Sequence, residues 1–259
     1  MNWSTPDKYG HYREAKFVAV KHHWFWQFNF LFQKLSVTQT GWTGYALYIE
    51  EDNYVAPDLL TILAQMSDIA VNQCGPDKCG VLNLGLKTRE AVSDTGAGFE
   101  TRGHVLSVAG WESSKHNMGM AFNRHFWDKM QSCSDTFCGY DDYNWDWSTE
   151  ATFSDCPAFK GSPMGALVLG GARVYHFGSC GMHVGKGQSC EGKEPDTTAI
   201  EHMIATVTPS LFPSELKFSN GAVGKPRAIV NGGWGDARDV QLCKAFGNGK
   251  NLETYTPGR

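Results

Sequence analysis

The chain has 259 residues, 41% of them hydrophobic and 19% charged, which supplies a sizeable core and excludes a disordered or collagen-like polypeptide. With 23 Lys+Arg against 27 Asp+Glu the formal net charge is -4, and no dense basic run supplies the electrostatic footprint of a nucleic-acid binder. The most apolar stretch, HHWFWQFNFLFQ from His22 to Gln33, is broken by Gln27 and Asn29 and falls well short of the ~20 apolar residues that a membrane span needs.

The N-terminal residues MNWSTPDKYGHYREAK are polar and show no apolar signal-peptide core. From Lys16 to Leu35 the aromatic-rich run predicts a buried helix, although periodicity alone leaves a strand open. Ala46 to Ile49 has the length of a fully buried strand and stops at three acids, Glu50, Glu51 and Asp52. Ala56 to Gln73 then puts Leu59, Leu60, Ile62, Leu63, Met66 and Ile69 on one helical face, with Pro57 near the start. Short strands follow at Val81 to Leu86 and His104 to Ala109, and helices at Asn123 to Ser132 and Asp142 to Phe153. Gly165 to Phe177 predicts two strands around a Gly-Gly turn, and helices close the chain near Thr197 to Thr206 and Val240 to Phe246. This alternation predicts an α/β fold. No repeat or low-complexity linker marks a boundary, so residues 1–259 are expected to form a single domain.

Eight cysteines, Cys74, Cys79, Cys133, Cys138, Cys156, Cys180, Cys190 and Cys243, are an even number and favour disulfides. The pairs CGPDKC and CSDTFC offer zinc ligation as the alternative, but structural zinc sites group four ligands at tighter, more regular spacings. Oxidised cysteines imply a secretory-pathway or extracellular setting. The triplet Asn2-Trp3-Ser4 is a weak glycosylation signal consistent with it.

Four clusters carry potential chemistry. Carboxylates crowded at a strand end repel one another unless a cation is held there, and in open α/β sheets ligands lie beyond the carboxyl ends of strands. Glu50, Glu51 and Asp52 therefore form either a divalent-cation site or an ordinary solvated loop. DDYNWDW, Asp141 to Trp147, interleaves acids with Tyr143, Trp145 and Trp147. That composition suits a sugar ring, and equally suits core packing with the acids outward. In HFGSCGMHVGKGQSC, His176 and His183 bracket Cys180 within a glycine-rich loop. His183 could complete a Mn or Zn site begun by Asp52, or serve no such role. KHHW, with Lys21, His22, His23 and Trp24, is either a set of satisfied core polar groups or a donor set for an anionic phosphate. No G-x-S-x-G elbow, Walker loop or G-x-G-x-x-G fingerprint is present.

Taken together, KHHW at Lys21, IEEDNYVAPDLL from Ile49, HNMGMAFNR from His116, CGYDDYNWDW from Cys138, HFGSCGMH from His176 and NGGWGDARDVQLCKAF from Asn231 resemble the N-acetylglucosaminyltransferase II family, in family order along nearly the whole chain. The resemblance implies a GT-A type α/β transferase of the Golgi lumen that uses Mn2+ and UDP-N-acetylglucosamine. The acceptor would be the α-1,6-arm mannose of an N-glycan, extended in β-1,2 linkage. It implies Asp52 and His183 as metal ligands, with Glu50, Glu51, Lys21, His22, His23 and Trp24 on the donor side. Asp146 matches the family's catalytic base, and Asn117 and Trp145 match acceptor contacts. It also implies the pairs Cys74–Cys79, Cys133–Cys156, Cys138–Cys243 and Cys180–Cys190, one set among the 105 that eight cysteines allow.

Family members begin with a cytoplasmic tail, a signal anchor, a stem and the first nucleotide-binding strands, so this chain is expected to be the C-terminal portion of the catalytic domain of a longer type II Golgi protein. Any membrane attachment would come through that missing anchor, and most uridine contacts through the missing strands. Two other readings stand beside this one: a non-catalytic glycan-binding remnant, and a disulfide-braced secreted domain with zinc or no metal.

Overall fold

The computed structural model describes residues 6–8, 10, 12–39, 41–87, 97–161, 164–178, 197–225 and 229–247, with the side chains of 86, 87 and 97 left aside. In chain order the strands are β1 (Tyr45–Tyr48), β2 (Asn53–Val55), β3 (Val81–Asn83), β4 (Gly85–Lys87), β5 (Val105–Gly110), β6 (Met120–Asn123), β7 (Gly165–Leu169), β8 (Val174–His176) and β9 (Lys217–Ser219). The helices are α1 (Ala15–Lys34), α2 (Leu59–Ile69), α3 (Ala97–Arg102), α4 (Ser113–His116), α5 (Arg124–Ser132), α6 (Ser134–Gly139), α7 (Trp145–Asp155), α8 (Thr198–Val207) and α9 (Ala237–Gly247). The expected mixture of helix and strand is present. The chain divides into two units, Tyr45–Phe122 with Gly165–Gly224, and Met1–Gly44 with Asn123–Met164 and Lys225–Arg259.

The first of these is the sheet unit. Its six-stranded sheet runs β1-β6-β3-β7-β5-β9, and a three-stranded sheet runs β2-β8-β4. Both are mixed: β3 pairs parallel with β7 and antiparallel with β6, while β8 pairs parallel with β4 and antiparallel with β2. Leu59, Ile62 and Met66 of α2 pack with Leu82, Leu106, Val108, Ala121 and Leu167 of the larger sheet. Each such fully buried Leu, Ile, Val or Met side chain contributes about 1.5–3 kcal/mol. On the smaller sheet, Tyr175 packs with Ile200, Met203 and Ile204 of α8. The Cys74–Cys79 disulfide closes the turn after α2, and a fully buried Arg173 pairs with an equally buried Asp58 at 2.8 Å.

Three local expectations change here. The strand expected to be fully buried is half-buried along its length, because β1 sits at the edge of its sheet. Leu60, expected on the apolar face, is 74% exposed, since it lies a full 100° around the helix from Leu59. The single strand expected over Val81 to Leu86 is two strands in different sheets. Between them Leu84 donates its N–H to Gly119 O at 3.0 Å and its carbonyl accepts from Arg173 and Val174. Gly85 permits the switch, as a Cβ there would lie 2.5 Å from the Met118 carbonyl oxygen. Likewise β7 and β8 flank Gly170 and Gly171 as expected but join different sheets.

The other unit is helical among its described residues, apart from β6's last residue and a bridge between Asp142 and Gly232. Residues Phe17, Val18, Lys21, Trp24, Phe25, Phe28, Asn29 and Phe32 make the buried stripe of α1, spaced three and four apart as a helix requires. Trp24 stacks on Trp145 with ring centroids 4.8 Å apart and planes 4° from parallel, and also meets Phe28, Trp127 and Phe137. Asn123 caps α5, its side chain accepting the Phe126 N–H at 2.9 Å. The disulfides Cys133–Cys156 and Cys138–Cys243 tie the end of α5 to that of α7 and α6 to α9. All six described cysteines are thus bonded, in three of the pairs the resemblance implied, and none of the six is left to bind zinc. Cys180 and Cys190 lie outside the described residues. Among the described residues no helix is long and apolar enough to cross a membrane.

Candidate active site

The expected site residues fall in both units, and each set has its own geometry. In the sheet unit, β1 ends at Tyr48 and the chain turns through Glu50, Glu51 and Asp52 into β2. The turn is tied by Asn53 N–H to the Glu50 carbonyl at 3.1 Å and by Glu50 N–H to the Asn53 side chain at 3.3 Å. Antiparallel pairing sets Asn53 opposite His176, and Phe177 N–H donates to the Asp52 carbonyl at 3.0 Å. The consequence is that His176 Nε2 lies 3.0 Å from Asp52 Oδ2. The other oxygen, Oδ1, accepts from Asn53 Nδ2 at 3.2 Å.

Glu50 takes the Tyr48 hydroxyl at 3.1 Å. Its carboxyl titrates above the usual range, first because it is buried and then because Asp52 and Glu51 repel its charge, while the Tyr48 hydrogen bond and His176 act the other way. A cation would relieve that repulsion. The donor chemistry fits one: carboxylate oxygens suit Mn2+. Divalent ions that work on phosphates take one or two protein ligands and complete their shell from phosphate and water. Among the described residues no group of three His, Cys, Asp or Glu is placed to hold a metal by itself. His183, the expected second ligand, lies outside the described residues.

Asn117, expected near the acceptor, follows α4 in the same unit and is half-buried. Just before it, the His116 ring is buried and its Nδ1 accepts the Glu112 N–H at 2.9 Å.

In the helical unit, Asp146 occupies the first turn of α7, half-buried, with Oδ1 accepting the Trp147 N–H at 2.9 Å. The start of α7 is braced by Asp142, whose Oδ1 accepts both the backbone and side-chain N–H groups of Asn144 at 2.8 Å. Burial pushes the Asp142 carboxyl up to about 6, against the Asn144 hydrogen bonds and Lys21. Trp145 is 5% exposed and stacked on Trp24. Tyr143 is 2% exposed, stacks on Phe17 and donates its hydroxyl to Asp7 at 2.9 Å. Of the three aromatics in DDYNWDW, only Trp147 keeps partial exposure.

The KHHW segment divides by helical position. Lys21 is fully buried, its Nζ donating to the carbonyls of Tyr140 (2.9 Å) and Asp142 (3.0 Å) and lying 4.2 Å from the centre of the Trp234 ring. Burial holds its ammonium well below the usual lysine range, with Asp142 and Asp141 opposing. His22 Nε2 meets the Asp239 carbonyl at 2.8 Å, and burial lowers its pKa. Trp24 is core, and His23 alone is exposed, stacked beside Trp26. Two residues carry more of this geometry than the sequence suggested. Asp142 orders α7's first turn, and His176 faces Asp52. The β2–β8 register and the Phe177 N–H bond to the Asp52 carbonyl link His176 to the acidic turn, and no local pattern signals it.

The comparisons with known proteins agree with one another. The N-acetylglucosaminyltransferase II family model matches residues 1–243. The alpha-1,6-mannosyl-glycoprotein 2-beta-N-acetylglucosaminyltransferase of Mus musculus is 39% identical across 95% of this chain and 53% of its own length. Its Homo sapiens counterpart is 37% identical across 95% and 52%, and that of Arabidopsis thaliana 32% across 93% and 53%. The chain thus spans about half the length of the curated relatives it matches. By sequence match over nearly all of its residues, the chain belongs to the N-acetylglucosaminyltransferase II family.

Proposed function

We propose that the chain carries the metal and acceptor side of an inverting β-1,2-N-acetylglucosaminyltransferase. It would be the C-terminal portion of one GT-A catalytic domain in the Golgi lumen, anchored as a type II membrane protein in its longer form. The donor would be UDP-N-acetylglucosamine and the acceptor the α-1,6-arm mannose of an N-glycan. The observation that carries this reading is the match to relatives named for that activity across 95% of the chain. Asp52 and His183 would hold Mn2+, with Glu50 and Glu51 adding negative charge around it, and the partly exposed Asp52 carboxylate on the acidic turn supports the Asp52 half of that pair. When bound, the cation would neutralise charge on the departing UDP.

Asp146 would accept the proton of the mannose 2-hydroxyl as that oxygen forms a bond to the anomeric carbon; the bond from that carbon to the phosphate oxygen breaks, its electron pair leaves with UDP, and the configuration inverts. A half-buried carboxylate on a braced helical turn supports this role. Trp145 would serve the acceptor through the turn it anchors, and Asn117 through its half-buried side chain. On the donor side His23 is the exposed member of its segment, while Lys21, His22 and Trp24 would act by holding α1 in place.

The test is initial-rate transfer from UDP-N-acetylglucosamine to a mannose-terminated biantennary acceptor, with and without Mn2+. Asp146→Asn is expected to lower kcat by roughly 10²–10⁴ with an unchanged circular dichroism spectrum. Retained turnover in that variant would overturn the assignment of the base. A folded chain that binds the glycan calorimetrically but neither binds UDP nor transfers sugar would instead establish the non-catalytic glycan-binding reading.

A further inference from the structure

We propose that His176 is a positioning residue for Asp52: its Nε2–H donates to Asp52 Oδ2, and with Gly178 leaving the room, holds the carboxylate in the orientation from which it binds a divalent cation. This inference rests on the reading of Asp52 as a metal ligand.

Three observations carry it. The pair is 3.0 Å apart with 39% of the His176 side chain and 33% of the Asp52 side chain exposed, so the contact is made at a surface that an ion can reach. The ring's place is set by backbone pairing, since β8 brings His176 opposite Asn53 and Phe177 N–H grips the Asp52 carbonyl at 3.0 Å. The space around the carboxylate is reserved by a glycine: a Cβ on Gly178 would stand 2.1 Å from Asp52 Oδ2 and 3.0 Å from His176 Nε2.

A carboxylate on a turn rotates about two bonds. Among the described residues each oxygen has one such partner, His176 on Oδ2 and Asn53 on Oδ1, so both rotations are restrained, and a carboxylate oxygen has a second lone pair with which to meet an ion. Outer partners of this kind fix ligand orientation, and their loss typically costs roughly 10–100-fold in metal affinity.

The experiment uses the full 259-residue chain and Mn2+ as the probe, titrated in the presence of UDP and followed by the electron paramagnetic resonance signal of the free ion. His176→Phe, which keeps ring bulk without a donor, is expected to weaken Mn2+ binding roughly 10–100-fold. His176→Gln, whose amide nitrogen reaches near the Nε2 position, should recover most of the loss. Gly178→Ala, which disturbs the same pair from the backbone, should weaken binding like His176→Phe, and Asp52→Asn should abolish it. Circular dichroism of each variant reports folding.

If Asp52→Asn abolishes binding while His176→Phe binds Mn2+ as tightly as the unaltered chain, the positioning role is wrong and the metal reading stands. If His176→Gln is no better than His176→Phe, the imidazole acts as a ligand and not through Asp52, which also overturns the proposal. If Asp52→Asn binds normally, or the unaltered chain leaves the ion free, the metal reading itself fails and the inference with it.

Discussion

Replacing His116 by Asn should remove an acid-side loss of stability from the sheet unit. The His116 ring is 6% exposed and its Nδ1 accepts the Glu112 N–H at 2.9 Å, a bond that requires an unprotonated nitrogen. Burial pushes its pKa down to about 4, with Lys115 adding to the shift and Glu112 opposing it, whereas an unfolded imidazole titrates near 6.5. Between these values the unfolded chain takes up a proton and the native chain does not. The stability is therefore fully present above about pH 6.5 and is lost as pH falls towards 4. About 2.5 units at ~1.4 kcal/mol each amount to about 3 kcal/mol.

Asn can offer its carbonyl oxygen to the same N–H without titrating. Urea unfolding of both proteins from pH 4 to 8 measures the effect, with other titrating groups cancelling in the difference. The original chain should lose about 3 kcal/mol more than His116→Asn over that range, and an NMR titration should place the His116 ring well below 6.5. An identical acid-side slope in His116→Asn, or a ring that titrates near 6.5, would refute the reasoning.

The Asp58–Arg173 pair has no exposed side-chain surface on either partner. Asp58→Ala should therefore cost about 3–5 kcal/mol by stranding a buried guanidinium, while Asp58→Leu combined with Arg173→Met should recover much of that in a double-mutant denaturation cycle. Asp142 gives a pH dependence of opposite sign to His116. Its folded pKa, raised to about 6, contributes stability that is present below about pH 3.9 and disappears as pH rises through about 6. Asp142→Asn should flatten that slope, worth about 3 kcal/mol, in the same urea series, and an unaltered slope would assign the effect elsewhere.

Several elements were legible because their signals are local. The α1 stripe from Phe17 to Phe32 repeats every three to four residues, and the helix spans Ala15–Lys34 where Lys16 to Leu35 was expected. Helices α5, α8 and α9 and strand β5 match their expected segments to within a few residues. The three described disulfides match pairs implied by the resemblance, which spacing alone could not have chosen.

Sequence by itself determined the α/β character, the family and the position of the acidic turn after β1, because residue type, periodicity and motif order are read along the chain. Tertiary structure decided which side of each ambiguous cluster faces inward. Lys21 and Trp145 have the composition of ligand-binding residues, yet the first is capped by two carbonyls and the second lies flat on Trp24. Asn83 ends a strand of one sheet and Gly85 begins a strand of another where the apolar run shows no break. Asp52 and His176 are brought within 3.0 Å by a strand register between distant segments. Burial and partner choice at these places depend on contacts between residues far apart in sequence, and those contacts exist only once the sheets and helices have packed.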